Sequence, residues 1–320
     1  MKEYSELRFW YYAIQDGIPG TMYNKTIRYL LRYKKGKWVS RVENKDLQEK
    51  IREFYRLSEE KYAEIGNGNI KDGTVRKVKM YEEPLIAVGS AKDPLFEAYK
   101  NPEAIGPWHY MPEEWLPGAK SVISLFFPMT EEVKRSNWNG GKEPSEEWLY
   151  CRIEGHAFIQ NMAGKVKQYL EDQGAKSCVP LLDARFRAYM GTCPGEGMPD
   201  VVFGSNWSER HVAYLCGQGT FGLSRGIITR KGIAGRFISI LTTEELEVTK
   251  REYTELYEYC TRCGACIRRC PVQAISIEHG KEHPPCLSWM LHTKEVYAPR
   301  LGCGKCQTKV PCESGIPSTF

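Results

Sequence analysis

The distribution of apolar and polar positions divides the chain into a polar beginning, an apolar middle and a cysteine-rich end. In the beginning, apolar side chains recur at helical spacing and predict a helix from about residue 44 to residue 65; they are Leu47, Ile51, Phe54, Tyr55 and Tyr62. The rest of the first 80 residues is polar and strongly charged. We therefore interpret residues 1–83 as a peripheral region.

An apolar core is predicted from residue 84 to residue 250. Short apolar runs between glycine and proline predict buried strands, and longer amphipathic stretches between them predict helices. Ser145 is a good helix N-cap, and Gly174 supplies the stop for the helix that Ser145 would begin. The predicted strands cover residues 85–89, 121–127, 177–182 and 236–241, and the predicted helices cover 145–173 and 207–216. Strands that alternate with helices indicate an α/β core.

Charge and hydropathy describe the chain as a whole. With 45 basic and 40 acidic residues, a mean hydropathy of −0.49 and no apolar run of about 18–20 residues, neither a membrane anchor nor a signal peptide is expected. We expect a cytoplasmic protein. Seven basic residues without an acidic one lie in residues 25–41, with aromatic residues between them. This stretch is either a tRNA-binding footprint or a solvated face.

The cysteines carry the strongest chemical signal. Of 12 cysteines, eight lie in the last 61 residues. The stretch from Cys260 to Pro271 matches the spacing C-x₂-C-x₂-C-x₃-C-P, in which three thiolates bind one iron–sulfur cluster and the fourth binds another. A structural zinc site would favour two C-x₂-C pairs about 15–20 residues apart, so the spacing argues against zinc.

Four further cysteines complete the ligands for two [4Fe–4S] clusters. We predict a first set with Cys260, Cys263, Cys266 and Cys312, and a second set with Cys270, Cys286, Cys303 and Cys306. Two clusters within hopping distance form an electron-transfer path. A bare ferredoxin needs only the tail, whereas roughly 250 residues precede it here, which favours an enzyme.

The ordered motifs resemble those of the epoxyqueuosine reductases and the related corrinoid-dependent reductive dehalogenases. The resemblance covers roughly residues 84–312. It rests on the cysteine run, on Cys286-Leu-Ser-Trp and Cys303-Gly-Lys-Cys306, on Pro117-Gly-Ala-Lys-Ser-Val-Ile-Ser, and on Ser208-Glu-Arg ahead of Gly217-Gln-Gly-Thr-Phe-Gly222. It implies a nitroreductase-like core, a bacterial-ferredoxin-like tail over residues 251–320, and a cobalamin between them that the nearer cluster reduces.

The resemblance also implies site residues. The implied cofactor-binding residues are Gly217, Gly219, Gly222, Ser224 and Arg152, and the implied catalytic residues are Asp183 as proton donor and His156. Each has an ordinary alternative: the glycines can form a helix-to-strand turn, Asp183 can cap a loop, and His156 can be a hydrogen-bonded helix residue. About twenty extra residues separate Asp183 from Ser208 relative to the family, and the aspartate–tyrosine pair expected before His156 is missing.

We therefore expect a cytosolic iron–sulfur reductase of a small organic substrate in an oxygen-poor cell, supplied by a low-potential donor such as a ferredoxin or a flavodoxin-like protein. Two alternatives remain open, a non-catalytic electron-transfer protein and a tRNA-modifying epoxyqueuosine reductase. Only eight residues follow Cys312, whereas tRNA-acting members often carry a helical-repeat extension, so the sequence favours a smaller substrate.

Overall fold

A computed structural model describes residues 31–34, 37–40, 42–66, 75–139, 141–190 and 203–318. The chain forms two compact units, Met1–Arg41 and Val42–Phe320. In the first unit, β1 (Leu31–Lys34) and β2 (Lys37–Ser40) form an antiparallel hairpin. The hairpin contains part of the basic stretch, while Lys25, Arg28, Lys35 and Arg41 lie outside the described residues.

A four-stranded antiparallel sheet forms the centre of the second unit, and its strands follow the order β5-β6-β12-β7. The strands are β5 (Leu85–Ser90), β6 (Ser121–Pro128), β7 (Ser177–Cys178) and β12 (Gly235–Thr242). All eight residues of β6 are buried, as a central strand covered on both faces requires. The predictions for residues 85–89, 121–127 and 236–241 are confirmed.

Helices cover both faces of this sheet. The long α5 (Glu146–Asp172) packs on one face through side chains such as Phe158, Met162 and Val166. Its N-cap is Ser145, as predicted, and the Ser145 hydroxyl accepts a hydrogen bond from the backbone N–H of Trp148 at 3.2 Å. On the other face lies α6 (Glu209–Leu215), which buries Val212 and Leu215. The result is a mixed α/β fold, and its antiparallel sheet makes it α+β.

The predicted peripheral region contributes to the core instead of covering it. Its elements are α1 (Asn44–Leu57), β3 (Tyr62–Ile65) and β4 (Arg76–Lys79), and their apolar side chains join the same cluster as α5. The predicted helix was wrong beyond Leu57, because Ala63 and Ile65 alternate with exposed positions and pair with β4. The chain therefore divides after Arg41, and not at residue 83.

Two other elements are shorter than predicted. The strand expected over residues 177–182 ends at Cys178, and residues 180–182 form a 3₁₀ turn because Pro180 has no N–H to continue a ladder. The helix expected from residue 207 begins at Glu209. The expected loop over residues 184–206 contains a short antiparallel pair, β8 (Ala188–Met190) and β9 (Phe203–Ser205). Residues 191–202 lie outside the described part.

The remaining elements join the core to the cysteine tail. Before the tail come α2 (Leu95–Ala98), α3 (Pro112–Trp115), α4 (Glu131–Ser136), β10 (Gly219–Phe221) and β11 (Ile227–Thr229). The tail itself holds α7 (Ala265–Arg269), β13 (Ile275–Ser276), β14 (Gly280–Lys281) and α8 (His283–Tyr297). None of the helices in the described ranges has the length and apolar character needed to cross a membrane.

Direct hydrogen bonds hold the tail against the core. The backbone N–H of Ile233 donates to the carbonyl of Cys312 at 2.9 Å. Just after α4, the Asn137 amide donates to the carbonyl of Cys303 at 3.0 Å. Lys305 is 1% exposed, and its ammonium donates to the carbonyls of Asn137 and Asn139 at 3.1 and 2.7 Å. The loop between Cys303 and Cys306 is therefore positioned by the core.

Candidate functional site

The first set of cysteines lines one small cavity of about 370 Å³. Gly264 has φ +70°, and this left-handed conformation begins α7 directly after Cys263. The wall is otherwise mostly apolar, with Ile228, Ile233 and Val310 among its residues. Cys263 is exposed to solvent, so this cavity reaches the surface of the protein. All four cysteines predicted for the first set, Cys260, Cys263, Cys266 and Cys312, lie here.

The second set lines a larger, open cavity of about 1030 Å³, which includes its mouth. Cys286 comes from α8, and the backbone N–H of Ala274 donates to the Cys270 sulfur at 3.2 Å. Gly304 has φ +67°, and a Cβ there would lie 1.9 Å from the Trp148 ring, so only glycine fits. All four cysteines predicted for the second set, Cys270, Cys286, Cys303 and Cys306, line this cavity.

The thiols of each set influence one another. Burial, together with Cys306, Cys286 and Cys270, raises the pKa of Cys303 to about 12. Burial likewise raises the pKa of Cys312 to about 12, with further contributions from the three other cysteines of the first set. Crowded, buried thiols resist ionisation unless a cation replaces their protons, which is the behaviour of a metal-binding site.

The two sets also adjoin each other. Burial raises the pKa of Cys266 in the first set to about 11, and the largest electrostatic contribution after burial comes from Cys306 of the second set. The helix α7, which contains Cys266, also packs against the 3₁₀ turn Lys305–Gln307, which contains Cys306. Groups bound by the two sets would therefore be close neighbours.

Basic side chains form the wall of the larger cavity that faces the core. Arg152 comes from α5, Arg210 from the first turn of α6, and Arg236 from the start of β12. Burial lowers the pKa of Arg152 to about 10, and the neighbouring Arg236 and Arg210 lower it further. Arg225, between β10 and β11, and Lys281, in β14, also line this cavity.

Of these basic residues, only Arg152 was predicted as a site residue. Arg210 belongs to the Ser208-Glu-Arg motif, and Arg236 is a charged residue at the beginning of an otherwise apolar strand. A charge in a buried strand is uncommon unless it faces a cavity or a partner. That signal could have identified Arg236, whereas nothing local to Arg225 indicates its position.

The predicted glycine segment is divided between two environments. Gly219 pairs with β11, and a Cβ there would lie 1.9 Å from the carbonyl oxygen of Ile228. Gly217 has φ +86° and follows the end of α6, beside the backbone of Lys250. Both glycines are thus required by contacts within the chain. Gly222 and Ser224 instead line the smaller cavity, beside the first set of cysteines.

The two predicted catalytic residues lie outside the residues that line the two cavities. The guanidinium of Arg185 bonds to the carboxylate of Asp183 at 2.8 Å and lowers the pKa of Asp183 to about 2. Asp183 is therefore ionised at neutral pH. Burial, with the nearby Arg152 and Arg236, lowers the pKa of His156 to about 4. The His156 ring is consequently neutral and lies beside the basic wall.

Glu209 is a buried carboxyl that the sequence reasoning did not single out. Burial raises its pKa to about 7, and the nearby Ser239 offsets only part of this cost. Neither carboxyl oxygen has a hydrogen-bond partner of normal geometry within the described residues. Although Glu209 precedes Arg210 in the chain, it is absent from the wall of the larger cavity.

Comparisons with known proteins match one segment to a family and the chain to several solved structures. Residues 254–276 match the family described as 4Fe-4S binding domain. Two epoxyqueuosine reductase structures are similar to this chain. One, labelled with selenomethionine, is 18% identical with a TM-score of 0.46, and the match covers 73% of this chain and 63% of the reductase chain. The other, from Streptococcus thermophilus, is 17% identical with a TM-score of 0.42, and the match covers 74% of this chain and 64% of the reductase chain.

A reductive dehalogenase structure, described as suggesting a mechanism for B12-dependent dehalogenation, is 13% identical with a TM-score of 0.45. The match covers 85% of this chain and 37% of the dehalogenase. The structural neighbours are thus reductases, and this chain spans less than two thirds of the length of the epoxyqueuosine reductases it matches. A search among curated proteins finds no match.

Proposed function

We propose that this protein is an iron–sulfur oxidoreductase that resembles epoxyqueuosine reductase, and that it passes electrons through two [4Fe–4S] clusters to a cobalamin that reduces a small organic substrate. The observation that carries the proposal is the division of eight cysteines between two adjoining cavities, four in each. The second of these cavities is shared with the core. Electrons would arrive near the exposed Cys263 and leave at the core side of the second set.

The donor set fits [4Fe–4S] clusters. Each cavity offers four thiols, the number that a cubane requires. Within the described ranges, no three histidine, cysteine or acidic side chains converge closely enough to bind a single metal ion. The spacing C-x₂-C-x₂-C-x₃-C-P, which is typical of [4Fe–4S] clusters, supports clusters over structural zinc. The eight proposed ligands are those of the two predicted sets.

The fit to cobalamin rests on donor chemistry at the larger cavity. Arginine side chains can donate hydrogen bonds to the amide and phosphate groups of a corrinoid, and Arg152 is the predicted contact that lines this space. The backbone conformation of Gly217 and the close contact of Gly219 with Ile228 already explain why glycine is found at both positions. Their position therefore gives no support to the predicted contact with a cofactor. When bound, cobalamin would supply the two-electron reduction of the substrate.

The proposed reduction also requires a proton donor. His156 lies beside Arg152 and Arg236, and its neutral ring keeps one N–H proton, while burial and the two arginines disfavour the uptake of a second. Asp183 meets the requirement for a donor only after it leaves Arg185, because that ion pair holds the carboxylate in its ionised form. Both residues remain predictions for the proton-donor role, and the measurement that separates them is the pH profile of the His156→Gln and Asp183→Asn variants.

Anaerobic reconstitution tests the proposal. We expect the full chain to bind about eight iron and eight sulfide ions, and then to bind cobalamin at micromolar concentration with a change in the corrinoid absorption spectrum. Protein without clusters serves as the control. If both clusters assemble and cobalamin does not bind, the cobalamin step is lost and a non-catalytic electron-transfer protein becomes the better interpretation.

The basic stretch over residues 25–41 favours a second candidate, reduction of a modified base in tRNA. Of its 17 positions, residues 31–34 and 37–40 are described, and they form an antiparallel hairpin. Under this candidate, tRNA binding weakens steeply with salt and is lost when the seven basic residues are changed to glutamine. Binding that does not respond to either change would contradict it.

A further inference from the structure

The larger cavity collects positive charge without an acidic residue. Four arginines and one lysine line it, and none of the lining residues is an aspartate or a glutamate. Within the described ranges, none of these five residues forms an ion pair, although sixteen ion pairs are found elsewhere. They are Arg152, Arg210, Arg225, Arg236 and Lys281. Basic side chains placed together this way are costly unless an anion joins them.

The three arginines from the core are near one another. Arg236 and Arg210 both lower the pKa of Arg152, and Arg236 also lowers the pKa of Arg210. All three are partly buried, and they come from a helix, a second helix and a strand on different layers of the core. Their convergence is therefore a property of the fold and not of one flexible segment.

A cluster held by the second set of cysteines would neutralise only part of this charge. A cubane with four thiolates carries about two negative charges, against five positive ones in the cavity. The phosphodiester in the nucleotide tail of a cobalamin would add one more negative charge. A surplus of positive charge remains in either case, on the core side of the cavity.

Other donors point to the same kind of ligand. The indole N–H of Trp289 is buried, has no hydrogen-bond partner among the described residues, and belongs to a side chain that lines the cavity. Arginine and indole N–H groups donate and cannot accept. A ligand that fits this wall must therefore offer acceptors, as a carboxylate or a phosphate does.

We propose that Arg210 and Arg236 form a binding site for the carboxylate or phosphate group of an anionic substrate, beside the second set of cysteines, while the neighbouring Arg152 keeps its predicted contact with the cofactor. This inference rests on the proposed function and names the class of substrate that the same cavity takes. Arg225 and Lys281 also line the cavity and would supply further attraction for an anion.

Calorimetric titration of inorganic phosphate into the cluster-reconstituted full chain, without cobalamin, tests the site. We expect phosphate to bind, and Arg210→Gln and Arg236→Gln to weaken its affinity by about tenfold or more, because each removes charge-assisted hydrogen bonds. The matched control is Arg230→Gln, which removes an exposed arginine outside both cavities and leaves the affinity unchanged.

The stability of the same variants separates binding from support of the fold. Since the arginines repel one another, Arg210→Gln should unfold no more easily than the wild type without phosphate, and it should lose the stabilisation that phosphate gives the wild type. If Arg210→Gln does not fold, the exposed Arg225→Gln variant takes its place, with a smaller loss of affinity expected. Wild-type protein that does not bind phosphate, or variants that bind it equally well, would overturn the site.

A cobalamin titration distinguishes the source of the anion. If the site serves the substrate, phosphate binds equally well to protein loaded with cobalamin, and Arg210→Gln binds cobalamin and cobinamide as the wild type does. Competition between phosphate and cobalamin, with cobinamide unaffected, would assign the arginines to the cofactor and overturn the proposal. Phosphate binding without any cobalamin binding would keep the anion site and remove the cofactor from the proposed function.

Discussion

The two cysteine cavities contain the same ligands in opposite surroundings. The smaller one is lined mostly by apolar residues such as Ile228, Ile233 and Val310, and it has one charged residue in its wall, the exposed Arg262. The larger one is open and is lined by four arginines and a lysine. Charge and solvent exposure influence the reduction potential of an iron–sulfur cluster. Two clusters with four cysteine ligands each would therefore differ in potential if one lay in an apolar cavity and the other in a basic one. We interpret the first as a relay and the second as the site where electrons leave the clusters.

The largest effect should come from removing one ligand at a time. We expect Cys263→Ser to lose the first cluster and Cys306→Ser to lose the second, so that each variant retains about four of eight iron ions. Only Cys306→Ser should also change the spectrum of bound cobalamin. Iron analysis and electron paramagnetic resonance measure this, and Cys178→Ser, a buried cysteine outside both cavities, is the control. Equal cobalamin spectra in both cluster variants would contradict the assignment of roles.

The next effect concerns how each set is supported. Gly264 and Gly304 both have positive φ, +70° and +67°, and alanine strains either by about 1–2 kcal/mol. At Gly304 the new methyl group also meets Trp148, whereas at Gly264 the nearest atom is the flexible end of Arg268, 3.3 Å away. We expect Gly304→Ala to cost at least about 2 kcal/mol more than Gly264→Ala in the free energy of unfolding. Equal costs would mean that the core does not hold the second set more rigidly.

A third effect tests whether the positive charge of the larger cavity is balanced by a nearby ionised carboxylate, for which Glu209, next to Arg210 in the chain, is the candidate. Burial raises the pKa of Glu209 from 4.5 to about 7, so the folded state binds its proton more tightly than the unfolded state. This contribution to stability is present below pH 4.5 and is lost as the pH rises through 7. Relative to Glu209→Gln, the wild type should lose on the order of 3 kcal/mol of unfolding free energy over that interval.

Urea denaturation of both proteins at several pH values measures the difference. If Glu209 were instead an ionised partner of Arg210, its pKa would lie below 4.5. Stability would then be present above pH 4.5 and lost as the pH falls. That opposite trend would remove the contrast between the two cavities.

The smallest effect is on cluster potentials. Arg236→Gln removes a partly buried positive charge near the second set, and we expect it to lower the potential of that cluster by on the order of 50 mV, or about 1 kcal/mol for one electron. The exposed Arg262 lies beside the first set, and solvent screens its charge. Arg262→Gln should therefore shift the first cluster by less. A redox titration that shows equal shifts in both variants would contradict this order.

Much of this organisation follows from local sequence. Spacing and hydrophobic pattern predicted the main strands, the Ser145 cap and the grouping of Cys260, Cys263 and Cys266, because each depends on neighbours in the chain. The basic wall could not be predicted, because Arg152, Arg210 and Arg236 are brought together by tertiary packing. The same reason explains the wrong helix prediction beyond Leu57, because the local sequence of Tyr62–Ile65 does not show its pairing with β4.

The buried Lys305 has a consequence for how the protein matures. Three ligands of the first set lie within seven residues, from Cys260 to Cys266, and a short peptide can bring them together. The loop with Cys303 and Cys306 takes its shape from Lys305, whose ammonium is held by the carbonyls of Asn137 and Asn139. Under the proposed function, we therefore expect the second cluster to be inserted after the core has folded.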